Sequence, residues 1–177
     1  MTRDAADFEN TSLAAADGTA NPWYYEMHEV GWNYRIPDVL CALGISQLKK
    51  LDRFFARRRV LAALYDELLR PLAPAIRPVP HGNHRHGWHL YALLIDFNKL
   101  GTSRSRFMHA LRTDGIGTQV HYIPVHLQPY YRRRYGKMSL PGAERYYERC
   151  LSIPFFQSMT DDDARRVVDG LRKHSRL

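Results

Sequence analysis

A chain of 177 residues suffices for one ordinary domain with an appendage and can bury a real core. Its composition, 45% apolar and 25% charged, reads as globular and carries no signature of disorder. The formal charge of +8 favours an anionic partner, be it a nucleic acid, a phosphorylated metabolite or an anionic cofactor, and charge alone does not choose among them.

The two cysteines, Cys41 and Cys150, stand far apart in no metal or redox spacing, so they read as reduced thiols in a reducing compartment. The polar start "MTRDAADFENTSLAAADG" has no signal-peptide core, and no later stretch reaches the roughly 18 apolar residues of a membrane helix. A cytoplasmic protein without a membrane span is expected.

Residues 1 to 20 read as a loosely structured lead-in, and "PWYYEMHEV" as a short extended segment. From Pro37 to Leu69, Val39, Leu40, Leu43, Leu48, Leu51, Phe54, Phe55, Leu61, Leu64 and Leu68 recur every three or four residues, which predicts one long helix. Pro37 suits its first turn, Gly44 is its weak point, and the prolines of "RPLAPAIRPVP" end it. "WHLYALLID" (Trp88 to Asp96) then predicts a buried strand. "TSRSRFMHALRTDG" predicts a helix with Ser103 as N-cap and Gly115 as stop. "IGTQVHYIPV" (Ile116 to Val125) predicts a second strand of the same sheet, followed by a loop and a helix from about Gly142 to Leu151. The closing helix starts at Thr160, where Asp161, Asp162 and Asp163 meet the positive end of its dipole.

Three motifs carry chemistry. "HGNHRHGWH" gathers His81, His84, His86 and His89, but no Cys, Asp or Glu stands among them, so a solvated loop is expected there and no metal site. The triplets Arg57 to Arg59 and Arg132 to Arg134 invite a nucleic-acid reading. The first wraps around its helix at about 100° per residue, and neither comes with a known nucleic-acid-binding signature, so nucleic acid ranks last among the partners. "QVHYIPVHLQPYY" concentrates His121, Tyr122, His126, Gln128, Tyr130 and Tyr131 at a strand terminus, which fits a small-ligand pocket as well as it fits a satisfied histidine beside a proline turn.

In order and spacing, "GWNYRIPDVLCALGISQLKKLD", "FFARRRVLAALYDELL", "WHLYALLID", "GIGTQVHYIPVHLQPYY" and "LSIPFF" resemble the C-terminal half of the DegT-type nucleotide-sugar aminotransferases, from about Trp23 onward. Within that family the wording "TQVHYIPVHLQPYY" is most similar to the branch on the pseudaminic acid route. The resemblance implies an α+β fold, the C-terminal small domain of a fold-type I transferase dependent on pyridoxal 5'-phosphate. It places a remnant of the large domain and a polar lead-in over 1–35, a long linking helix over 36–70, and the small domain with a mainly antiparallel sheet packed on helices over 71–177.

It also implies a homodimer in which Asn33 donates to the cofactor phosphate across the interface. Tyr34 supports that corner, and Arg35 does so too or serves as a structural ion-pair residue. Gln119, His121, Tyr122 and His126 are implied to line the pocket for a UDP-linked keto sugar, with glutamate as amino donor. The lysine that carries the cofactor lies upstream of the asparagine in the family. The five lysines here, Lys49, Lys50, Lys99, Lys137 and Lys173, all follow Asn33, so no catalytic residue is expected in this chain. The expectation is a truncated or split aminotransferase, inactive alone and completed by a separately encoded large domain; the alternative is a non-catalytic interaction module that docks on an intact aminotransferase.

Overall fold

The computed structural model describes residues 4–9, 15–16, 19–20, 26, 28, 36–82 and 86–175. The chain divides into two compact units, Met1–Ser46 and Gln47–Leu177. In the first, a 3-10 turn at Ala5–Asp7 precedes a minimal antiparallel hairpin, β1 (Ala15–Ala16) and β2 (Thr19–Ala20), and Glu26 accepts from the backbone N–H of Glu9 at 2.8 Å.

Helix α1 (Asp38–Leu48) begins just after Pro37, which suits the first turn. The single helix expected from Pro37 to Leu69 is divided in two. A turn at Lys49–Lys50, closed by Lys50 N–H to the Gln47 carbonyl at 2.9 Å, separates α1 from α2 (Leu51–Leu69). Gly44 is not the break, since it lies inside α1. Of the expected apolar stripe, Leu61 is fully buried and Leu64 and Leu68 half-buried, with Ala62, Tyr65 and Leu69, which the stripe did not include, completing the buried face, while Val39, Leu40, Leu43, Leu48 and Leu51 stay exposed. Apolar residues recur at helical spacing on both sides of this two-residue turn, so the sequence pattern alone does not reveal the boundary.

The second unit is built on a three-stranded antiparallel sheet of order β3 (Ile76–Pro78), β4 (Tyr91–Ile95), β5 (Cys150–Ile153). In β4, Tyr91, Leu93 and Ile95 are fully buried and alternate with half-buried Ala92 and Leu94, and β5 is buried throughout. Ile76 pairs with Ile95 and Leu151 with Leu93, which sets apolar side chains side by side in the core. Pro78, which has no N–H to give, is accommodated on the edge strand. Helices α2, α3 (Arg104–Thr113) and α6 (Asp161–Ser175) enclose this core with Phe107, Leu111, Val167, Val168 and Leu171. The short α4 (Pro129–Tyr135) and α5 (Pro141–Arg149) complete the unit, an α+β domain of the kind expected.

The second strand expected over Ile116 to Val125 is not one. That segment is irregular, and its backbone pairs with the sheet at a single bridge, where Gln119 and Ser152 exchange hydrogen bonds of 3.1 and 2.7 Å at the free edge of β5. Pro124 lacks a ladder donor, and the N–H of Val120 is taken by the Gln119 side chain at 2.9 Å. The strand that completes the sheet is instead β5, where the end of a helix was expected.

The helix ends follow the sequence closely. Ser103 Oγ accepts from the Arg106 N–H at 3.3 Å. Thr160 and Asp163 cap reciprocally, Thr160 N–H to Asp163 Oδ2 at 2.8 Å and Asp163 N–H to Thr160 Oγ1 at 3.1 Å. Gly115, at φ +75°, closes α3: its N–H meets the Arg112 carbonyl and the Ile116 N–H meets the Leu111 carbonyl, while the Leu111 and Ile116 side chains join in the core.

Candidate functional site

The Gln119 to Tyr122 segment leaves the sheet edge with its backbone fixed at one end by Ser152. Ser152 is the one hydroxyl in the buried run of β5, and its Oγ shares a hydrogen bond of 2.9 Å with His121 Nδ1. The imidazole is half-buried and meets the Tyr122 ring edge-on, with centroids 4.7 Å apart. Tyr122 itself is 72% exposed, and Ile123 and Val125 follow it into solvent. A buried strand therefore anchors a short polar and aromatic run whose outer side chains are open to a ligand or a partner surface.

His126 is placed differently. It sits in a 3-10 turn, Val125–Leu127, is 5% exposed, and gives Nε2 to Glu144 Oε1 at 2.9 Å. Glu144 also accepts the Leu140 N–H at 2.8 Å, and that bond together with His126 holds its carboxyl below the usual carboxylate range. His126 thus ties the Tyr122 segment to the start of α5, an internal role distinct from the open position of Tyr122. Asn33, Tyr34 and Arg35 lie outside the described residues.

Sequence reasoning missed Ser152 and Glu144, the two residues that hold the histidines. The lone serine of "CLSIP" was the available signal for the first. Glu144, eighteen positions beyond His126, had none, because only the fold brings the two together.

In the histidine-rich loop, His81 Nε2 lies 3.2 Å from Asp66 and His86 packs on Trp88. Asp66 also accepts the Tyr91 hydroxyl at 2.5 Å; burial first, and then this carboxylate, push the Tyr91 phenol well above its ordinary range. Among the described residues no group of three His, Cys, Asp or Glu is disposed to hold a metal, and no helix is long and apolar enough to cross a membrane.

The lysines test whether the described residues fit a covalently held cofactor. Lys173 is committed to Asp114 at 2.9 Å, Lys49, Lys99 and Lys137 are exposed, and Lys50 lies in the turn before α2. None of the five stands in an enclosed cradle of the kind a pyridoxal ring needs.

Comparison with known proteins assigns the class. The model of the DegT/DnrJ/EryC1/StrS aminotransferase family matches residues 1–172, and the chain belongs to that family. It is 41% identical over 153 residues to the spore coat polysaccharide biosynthesis protein SpsC of Bacillus subtilis, across 85% of this chain and 39% of that protein. Among solved structures it is similar to PseC of Helicobacter pylori, an aminotransferase involved in the biosynthesis of pseudoaminic acid. That match has a TM-score of 0.80 at 25% identity and covers 99% of this chain and 47% of PseC. The fold is shared as well with Spr1654 of Streptococcus pneumoniae, solved in a PLP form, with a TM-score of 0.75 at 21% identity over 87% of this chain and 39% of that one. The chain spans about two fifths of the length of the curated relatives it matches.

Proposed function

We propose that this chain supplies the sugar-facing, C-terminal part of a cytoplasmic aminotransferase that moves an amino group from glutamate onto the 4-keto carbon of a UDP-linked sugar. The product would be UDP-4-amino-4,6-dideoxy-N-acetyl-β-L-altrosamine, on the pseudaminic acid route. The observation that carries this reading is the anchored segment from Gln119 to Tyr122, in a chain whose family membership and likeness to PseC point to amino-sugar chemistry. In it, Gln119, His121 and Tyr122 contact the sugar nucleotide, and His126 with Glu144 sets the angle at which the segment leaves the core.

Pyridoxal phosphate supplies the electron sink for amino transfer when it is bound. Its covalent lysine would come from a large domain, as part of the same protein or as a separate chain, and Asn33 would reach its phosphate across a dimer interface. The residues of this chain bind and orient the sugar.

The test is a rebuilt enzyme, combining this chain with a lysine-bearing large domain and assaying amination by mass spectrometry. Tyr122→Ala and His121→Ala should each raise KM for the sugar nucleotide about tenfold or more while leaving KM for glutamate nearly unchanged, as expected for lost sugar contacts. Equal effects on both substrates, or on neither, would remove the segment from the sugar site.

One observation favours a second reading. Val39, Leu40, Leu43 and Leu48 are exposed apolar residues of α1, which suits a module that docks on an intact aminotransferase without taking part in catalysis. Pull-down by such an enzyme, with no contribution to its rate, would select that reading.

A further inference from the structure

The positive charge of this protein is concentrated in one stretch. Between Phe97 and Ala143 stand eight Lys and Arg against one carboxylate, Asp114, a net +7; the rest of the chain holds eighteen Lys and Arg against seventeen Asp and Glu. Asp114 does not neutralise its neighbours on α3, because Lys173 at 2.9 Å and His174 at 2.7 Å already engage it.

Inside this stretch one face of α3 and the segment after it form a cleft of about 470 Å3 lined by Arg104, Ser105, Met108, His109, Arg112 and Thr118. Arg104, Met108 and Arg112 follow one another at four-residue spacing, as do Ser105 and His109, so both sets face the same side of the helix. No carboxylate lines the cleft. Arg104 is held in place: its Nη1 donates to the Tyr147 carbonyl, and its guanidinium lies 4.5 Å from the centre of the Tyr147 ring. A guanidinium fixed this way loses little freedom on accepting a ligand and still has N–H groups to offer. The side chains of His109 and Arg112 have no partner among the described residues.

We infer that this cleft is a binding site for a phosphoryl group, with Arg104 and Arg112 as its charged donors and Ser105, His109 and Thr118 completing the contacts. A doubly charged anion with three terminal oxygens matches two guanidiniums and two hydroxyls better than a carboxylate does. The inference is independent of the amino-transfer reading.

It is tested on the full chain by titration with inorganic phosphate, UDP and uridine, followed by calorimetry and by the arginine Nε–Hε resonances. Phosphate should bind saturably at millimolar concentration or below, shifting the Arg104 and Arg112 signals. Arg112→Gln, an exposed change that spares the core, should weaken binding about tenfold or more. Arg104→Lys, which keeps the charge but loses the fork, should do the same. Arg133→Gln, on α4, should alter affinity by less than about twofold. UDP binding tighter than phosphate, with the same losses in the variants, marks a nucleotide as the source of the phosphoryl group, and equal affinity marks free phosphate or a simple ester. No saturable shift, binding of uridine as strong as that of UDP, or unchanged affinity in a folded Arg112→Gln protein would overturn the assignment.

Discussion

Three carboxylates hold parts of this domain together, and each is kept charged by its partners. Asp114 is lowered chiefly by Lys173 and then His174, Glu144 by the Leu140 N–H and then His126, and Asp163 by the Thr160 N–H. A carboxylate whose folded pKa is depressed contributes stability that is complete above its unfolded value, near about 4, and is lost as pH falls through the folded value. Denaturation midpoints should therefore be flat in these contributions near neutrality and fall below about pH 4, and Asp114→Asn should flatten that acid dependence. An unchanged slope in the variant would show that Asp114 is not a source of it. The buried phenol of Tyr65 gives a pH-independent test. Its hydroxyl donates to the Pro154 carbonyl at 2.9 Å, linking α2 to the segment after β5. Tyr65→Phe should cost about 1 to 2 kcal/mol in urea denaturation, the loss of one bond plus a part-buried carbonyl left without its donor.

At the scale of elements, Gly115 is the sharpest case. Its φ of +75° lies in the left-handed region, and a Cβ there would stand 2.9 Å from Arg166 Nη2. Gly115→Ala should lower stability by about 1 to 2 kcal/mol, with Gly115→Asn losing less because Asn enters that region more readily; equal stability of wild type and Gly115→Ala would contradict the account of this turn. The glycine, like the caps at Ser103 and Thr160, was legible in the sequence because capping depends on residues within a few positions of each other. What escaped the sequence depends on distant partners. β3 is three residues long and gains its status from pairing with β4. β5 follows directly on α5, so its apolar run read as the end of a helix. Ile116 to Val125 has strand-like composition, yet its single bridge to Ser152 is limited by Gln119 bonding its own neighbour.

For the molecule as a whole, the family was legible because its motifs run in order along the chain, whereas the distinct position of His126 was not. His121 and His126 read alike in "VHYIPVH", and only the fold separates a histidine beside an open segment from one buried against Glu144. On the proposed reading these residues complete a sugar aminotransferase, and amination of a 4-keto UDP sugar by a lysine-bearing large domain, with and without this chain, tests it. Amino-sugar product is expected with both parts present, none with either part alone, and a marked loss of cofactor affinity when Asn33→Ala chains are used. Product formed at the same rate when this chain is left out would contradict it.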